Sequence, residues 1–333
     1  MMKKLLFTYL LMPFSLLAQD STATEDFSSY GDAGSAKNYA TQKVLNQSPQ
    51  KLISIAYEQQ NDFSWTDSRQ GLPIFNNTSN GVSGLRALVN VPVISKSSFI
   101  WQLGASYWGS KIAFTNTLGE RFYDNLNNAS MNTYGINNTL FKPLGEKKFL
   151  IFQATADASH VLNGGGLSGR DITFSGSFIY GWKKSEKNMI GVGVSRTYRA
   201  GQVIYVPVLL WNKTMNDHWG MELLLPARGH IRYNFSTKNM LQLGYELEGN
   251  QYRMNNTVTG NDWFIQRGEL KPRLMWDRQL FGFIWLNAQA GVRYNWRFEV
   301  YDKYDGKKAA NRLYDFNIQN PFYFNIGLSF VSQ

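Results

Sequence analysis

Residues 286–300 read LNAQAGVRYNWRFEV. Leu286, Ala288, Ala290, Val292, Tyr294, Trp296, Phe298 and Val300 fall on one face of an extended chain. Asn287, Gln289, Gly291, Arg293, Asn295, Arg297 and Glu299 fall on the other. A period of two held over the whole run is longer than the five or six residues of an ordinary globular strand. It suits a tilted transmembrane strand, which needs about 9–11 residues inside lipid and runs on beyond it.

The same alternation returns over residues 85–93, 99–107, 150–158, 172–182 and 241–247. The chain ends in NPFYFNIGLSFVSQ, which sets Phe322, Phe324, Ile326, Leu328 and Phe330 against Tyr323, Asn325, Gly327 and Ser329. Between these runs the connections alternate in length. Short turns fall at 95–98, 144–148, 183–188, 236–239 and 277–279, and longer ones at 59–79, 114–128, 161–170, 253–262 and 301–320. Tight turns on one side and longer loops on the other mark a bacterial outer-membrane barrel. Lipid cannot satisfy backbone N–H and C=O groups, so strands cross it only as a closed ladder. The last strand is then expected to pair with the first, LISIAY at residues 52–57.

The fold class expected is all-β, a transmembrane antiparallel up-and-down β-barrel of fourteen strands. They fall near 50–60, 80–95, 97–113, 129–143, 147–160, 170–183, 188–199, 202–211, 218–225, 229–236, 239–252, 262–276, 280–299 and 321–331. The weak place is 203–236, where VIYVPVLLW is apolar on both faces and Pro207 and Pro226 interrupt the ladder. Twelve strands, with 202–228 partly folded inward, is the alternative.

Residues 1–18, MMKKLLFTYLLMPFSLLA, have a basic start at Lys3 and Lys4, an apolar run and Ala18 before Gln19. That is the pattern of a secretory signal peptide cleaved after Ala18. Residues 19–49 are rich in small and polar side chains without period and read as a flexible periplasmic lead-in. Residues 50–333 form the barrel. There is no cysteine, which excludes disulfides, thiol catalysis and thiolate metal sites. The net charge of +10 is scattered among strands and turns rather than gathered on one element, so no nucleic-acid partner is expected.

The ending FNIGLSF resembles the signal that the barrel-assembly machinery reads, with Asn325, Gly327, Leu328 and Phe330 carrying the match. Val331, Ser332 and Gln333 run past the usual terminal aromatic. The stretches WGMELLLPARGHIRYNF, LQLGYELEGNQYRM and LNAQAGVRYNW resemble an uncharacterised family of Bacteroidota outer-membrane β-barrels. The resemblance implies architecture and the outer membrane of a Gram-negative cell. It implies no mechanism.

On the alternation, Glu246, Glu248, Arg267, Glu269, Lys271, Arg273, Arg293, Arg297 and Glu299 point into the lumen. Such columns can bias a conduit by charge or pair across strands into a rigid network. His160 precedes Val161, Leu162, Asn163 and Gly164. Lipid hydrolases of the outer membrane keep a catalytic His with Ser two residues on. Here that place is Leu162, which cannot attack an ester. Three scattered His give no metal set, and Asp302 and Asp305 lack the spaced oxygen ligands of a calcium loop. Trp101, Tyr107, Tyr180, Trp182, Tyr294 and Trp296 suit a membrane-interface girdle. Phe63, Trp65 and Phe75, in the first long loop, leave external binding open. The leading expectation is a passive channel or binding pore for small polar solutes, with no cofactor. The alternatives are a structural or surface-interaction barrel with a closed lumen and, behind both, a rim lipid hydrolase. Outer-membrane lipid and the assembly machinery are the expected partners.

Overall fold

Period-two patterning gives every strand one face for the interior and one for the surroundings, and the backbone closes it into one antiparallel sheet. The computed structural model describes residues 39–69, 72–115, 121–127, 129–162, 166–198, 202–255, 261–304, 306 and 311–332. The expected signal peptide at 1–18, the lead-in over 19–38, and Asn163, Gly164 and Asp305 lie outside the described residues. In chain order come β1 (Gln50–Gln60), β2 (Phe63–Arg69), β3 (Leu72–Lys96), β4 (Phe99–Phe114), helix α1 (Arg121–Asn127) and β5 (Met131–Pro143). Then follow β6 (Lys148–Val161), β7 (Ile172–Ser185), β8 (Asn188–Thr197), β9 (Ile204–Thr214), β10 (Trp219–Leu225) and β11 (Arg228–Ser236). The last are β12 (Asn239–Asn255), β13 (Asp262–Phe281), β14 (Ile284–Val292), β15 (Tyr294–Tyr301), β16 (Arg312–Ile318) and β17 (Phe322–Ser332).

Three segments continue others: β2 prolongs β1, β15 prolongs β14, and β16 leads into β17. The wall is thus a closed barrel of 14 strands. Its seam joins β1 to β17, from Gln60 opposite Tyr323 to Gln50 opposite Ser332. The twelve-strand alternative falls, because residues 204–225 run within the wall as β9 and β10, paired from Leu209–Leu225 to Thr214–Gly220. The tail behaves as its pattern requires. Phe322, Phe324, Ile326, Leu328 and Phe330 are exposed, whereas Tyr323, Asn325 and Ser329 are buried. With Ile53, Ile55, Leu85, Val91 and Ile136 they belong to an outward apolar belt, which only lipid can cover at such extent.

The alternation of residues 286–300 does not survive as one phase. It divides at Arg293, and the pairing of β15 with β13 shifts register between Gly268 and Glu269. The extra residue is a bulge, and a one-residue slip turns every later side chain to the other face. Phe298 and Val300 consequently sit in the interior, among buried aromatic residues. Arg297 and Glu299, expected in the lumen, lie on the opposite face with Arg312 and Asp315. The same inversion occurs in the neighbouring strands. Glu58 and Gln60 point inward below residues 61–62, and Phe63 and Trp65 above them; Tyr323 and Asn325 point inward on β17, Tyr314 and Phe316 on β16. The physical reason is the change of solvent. Beside lipid the apolar face is outside, and above the bilayer it turns in.

The inverted upper wall encloses an aromatic cap. Phe122, Tyr123 and Leu126 of α1 are buried against Trp65, Tyr252, Ile265, Phe298, Tyr314 and Phe316. Phe122 stacks on Tyr314 with ring centres 4.9 Å apart, and Trp65 lies 4.9 Å from Tyr123. The connection 59–79, expected as a long loop, is therefore a tall β2–β3 hairpin, and Phe63 and Trp65 serve the cap. Phe75 lies on β3, outside the described side chains.

The lower mouth holds a second closure. Residues 39–49, read from composition as flexible lead-in, lie against the barrel wall. Val44 is buried with Phe141, Phe149, Ile179, Met189, Val208 and Leu210. Backbone hydrogen bonds run from Ala40 N–H to the Gly145 carbonyl and from Leu45 N–H to the Glu186 carbonyl, each 2.8 Å. Glu222 accepts from Ser48 N–H at 3.0 Å and from its hydroxyl at 2.7 Å, and is held by Arg232 at 2.9 Å. Burial pulls the Lys43 ammonium below the usual lysine range, with Glu222 opposing the shift. Lys183 is buried and donates to Thr41 and the Lys43 carbonyl.

Candidate functional site

Between cap and lead-in the lumen carries a belt of charge. Arg86 on β3 faces the interior two strands from β17 and reaches right across to β12. Its guanidinium donates to both Glu248 oxygens at 3.1 Å and, through Nε, to Glu58 at 3.0 Å. Lys271 pairs with the same Glu248. Glu58 pairs onward with Arg293, which donates to Glu269 at 2.5 Å, and Glu269 accepts from Arg267 Nε at 2.7 Å. The indole of Trp108 lies under this chain, 4.3 Å from the Arg86 guanidinium and 5.0 Å from that of Arg267. Glu58, Arg267, Glu269, Lys271 and Arg293 are buried, Arg86 and Glu248 are partly buried where they border the chamber, and each faces an opposite charge. Removed from water, such groups persist only when paired and hydrogen-bonded.

Below the belt lies a chamber of about 790 Å³. Its wall on β4 to β8 is hydroxyl and amide, including Gln102, Asn137, Gln153, Thr155, Ser177 and Ser195. Its wall on β9 and β10 is apolar, with Ile204, Val206, Val208 and Leu224. Gln42 and Gln50 of the lead-in side line the floor. Near the base, Asp277 accepts from Lys51 at 3.2 Å and from Gln242 at 2.9 Å. The volume is that of a small-molecule pocket, and the groups it offers are fixed by the ladder.

Of the expected lumen charges, Glu248, Arg267, Glu269, Lys271 and Arg293 come together in the belt. Glu246 and Arg273 form a separate pair at 2.7 Å on the same inner face. Arg297 and Glu299 stand apart on the outer face above the bilayer. Glu58 and Arg86 complete the belt and escaped the sequence reading. Their signal was present, since each lies in inward phase with its own strand, Glu58 two residues from Ala56 and Arg86 between Leu85 and Ala87. Of the assembly-signal residues, Asn325 and Gly327 face inward, and Leu328 and Phe330 outward.

His160 closes β6 and stacks on Tyr134, ring centres 6.0 Å apart. Ser159 precedes it and so faces the opposite way, hydrogen-bonded to Thr133 at 2.9 Å. Leu162 is exposed, and Ser168 caps the short turn at Gly169–Asp171. No hydroxyl among these is aligned with the imidazole for proton transfer.

Residues 88–331 match the family described as a domain of unknown function, DUF6268. No curated protein matches the chain. Among solved structures, a Pseudomonas aeruginosa FadL homologue is 10% identical, with a TM-score of 0.41 over 85% of this chain and 90% of its own. The COG4313 outer membrane channel from Pseudomonas putida F1 is 11% identical, with a TM-score of 0.40 over 89% and 98%. The outer membrane protease OmpT from Escherichia coli is 8% identical, with a TM-score of 0.32 over 88% and 100%. Similarities this low speak to neither cargo nor chemistry.

Proposed function

The chain belongs to the DUF6268 family, a domain of unknown function, and for this member we propose a non-enzymatic channel of the bacterial outer membrane that takes small polar solutes into its central chamber. The observation that carries the reading is the chamber itself, a lumen space of about 790 Å³ whose fixed hydroxyls and amides face it from β4 to β8. A purely structural barrel has no need of such a space, because a smaller lumen could be filled by side chains. The apolar belt supports the membrane setting, and outer-membrane lipid and the barrel-assembly machinery are the partners we assign to it.

The cap and the belt reach into the lumen, which supports a channel of a gated kind. Planar bilayers test this. We expect small unitary currents from the full-length protein and currents several-fold larger when Phe122 and Tyr123 are both replaced by Ser, which opens the cap. If both folded proteins stay silent, and a polar solute neither crosses nor binds, the closed structural barrel takes the place of the channel.

A further inference from the structure

Two strands of the wall stop short. β10 has 7 residues and β11 has 9. Seven residues tilted by about 40° climb about 18 Å, less than the ~25 Å apolar band of an outer-membrane barrel. Their hairpin therefore turns at Pro226 and Ala227 within the outer half of that band. On one side, β9 joins β10 only up to Leu209, and residues 204–208 pair with β8 alone among the described strands. On the other, β12 joins β11 up to Glu246, with a last backbone hydrogen bond from Leu247 N–H to the Ala227 carbonyl at 2.8 Å, and residues 248–252 pair with β13 alone among the described strands. β9 and β12 stand three strand spacings apart, about 14 Å. Above the hairpin the ladder between them is interrupted.

Higher still, β12 leans across to β6, where Arg253 bridges to His160. Arg253 is clamped there by Asp171 at 2.5 Å and by the Gly166 carbonyl at 2.7 Å. Tyr198 donates to Gln251 at 2.8 Å. These contacts form a lintel over the gap, and the chamber reaches it, with Tyr198, Ile204, Val206, Leu225, Ala227 and Asn250 in its lining.

The gap explains why VIYVPVLLW is apolar on both faces. Its outward residues meet lipid, and its inward residues Ile204, Val206 and Val208 line the way from the gap into the chamber. Beside them on β7 and β8 stand Ser175, Ser177 and Ser195, the last of these paired with Val206 in the ladder. Of the charges at the chamber, Arg86, Glu248, Glu246, Lys51 and Asp277 are engaged in ion pairs, and Asp157 on β6 and Arg228 at the foot of the gap complete the charged lining. Hydroxyls and amides of β6 to β8 thus adjoin an apolar patch on β9 and β10.

We propose that this gap is a lateral port joining the chamber to the outer leaflet, and that the chamber takes a small neutral amphiphile. Its uncharged polar end lies on the Ser and Gln wall of β6 to β8, and its apolar end lies on β9 and β10. The proposal rests on the chamber's being a binding site and names its ligand class and its route. An apolar chain dragged along the barrel axis would have to break the Arg86–Glu248 fork. Through the port it reaches the chamber without crossing that fork.

The absence of cysteine allows single labels in the full-length protein. Bimane is attached to Val206→Cys (inner face beside the port), Ser177→Cys (inner face away from it) and Tyr205→Cys (outer face), in vesicles whose lipid chains carry a nitroxide. Quenching should be strong at 205, at least half as strong at 206, and at background at 177. Background quenching at 206 overturns the port. On the label at 177, titration with monodecanoylglycerol should give a saturable response that Ala227→Trp, which fills the port, weakens at least tenfold. The response to glycerol should be unchanged by Ala227→Trp. An Ala227→Trp variant as responsive to the amphiphile as its parent also overturns the port. A response to glycerol without one to monodecanoylglycerol overturns the ligand class and leaves the binding chamber standing, whereas a response to neither overturns the chamber as well.

Discussion

Arg86 is the residue on which the belt turns, because it alone among the described residues joins both Glu58 and Glu248 across the lumen. Replacing it by Met leaves two buried carboxylates short of a partner. Breaking a buried pair from one side costs about 3–5 kcal/mol, so Arg86→Met should lower the unfolding free energy by that order in urea titrations on lipid vesicles. Arg312 also joins two carboxylates, Glu299 and Asp315, but at the exposed upper rim. Its replacement by Met should cost less than about 1 kcal/mol. Selectivity separates two further arginines. In the variant with Phe122 and Tyr123 replaced by Ser, Arg293→Glu should shift the reversal potential towards cations, whereas Arg297→Glu should leave it unmoved. The sequence alone places both inward, since RFEV alternates as regularly as AQAG. Period two reports that two faces differ and is silent on which solvent each one meets, so a bulge at Trp296 and Arg297 is invisible to it.

At the level of elements, the two closures of the lumen were unequal in legibility. The cap residues Phe122, Tyr123 and Leu126 lie in a connection whose length was evident and whose destination was not, because α1 is a 7-residue helix stabilised only by what it packs against. The seated part of the lead-in left even less trace. The buried side chains of Val44 and Ala40 and a set of hydrogen bonds through backbone atoms and the Thr41 and Ser48 hydroxyls hold residues 39–49. Neither leaves a period in the sequence, and composition alone reads such a segment as flexible. Val44→Asp places a charge among Phe141, Phe149, Ile179 and Met189. It should release the segment and make the bond after Lys43 open to trypsin at least tenfold faster, followed by mass spectrometry on the folded protein. Bilayer conductance should rise in the same variant. An unchanged cleavage rate would mean that the segment is held by its hydrogen bonds and not by the apolar slot.

Across the whole molecule, stability comes from closure. There is no disulfide, and each end of the chain contributes one side of the seam between β1 and β17. That seam gives Gly327 two competing explanations. In one it belongs to an ending read by the assembly machinery. In the other it is a packing position, since a Cβ there would collide with the Ile55 carbonyl oxygen and with Ala56 on the facing strand. The second is a property of the folded barrel and must persist where no machinery exists. Refolded from urea into detergent, Gly327→Val should fail to give the compact, heat-modifiable band that a closed barrel shows on gels. Phe330→Ala should close normally there, because Phe330 is outward and exposed, and should lose yield only when the protein is exported by cells. If both variants refold equally well, the seam tolerates the side chain and Gly327 serves recognition. If both fail in detergent, the outward aromatic is itself needed to hold the last strand in place.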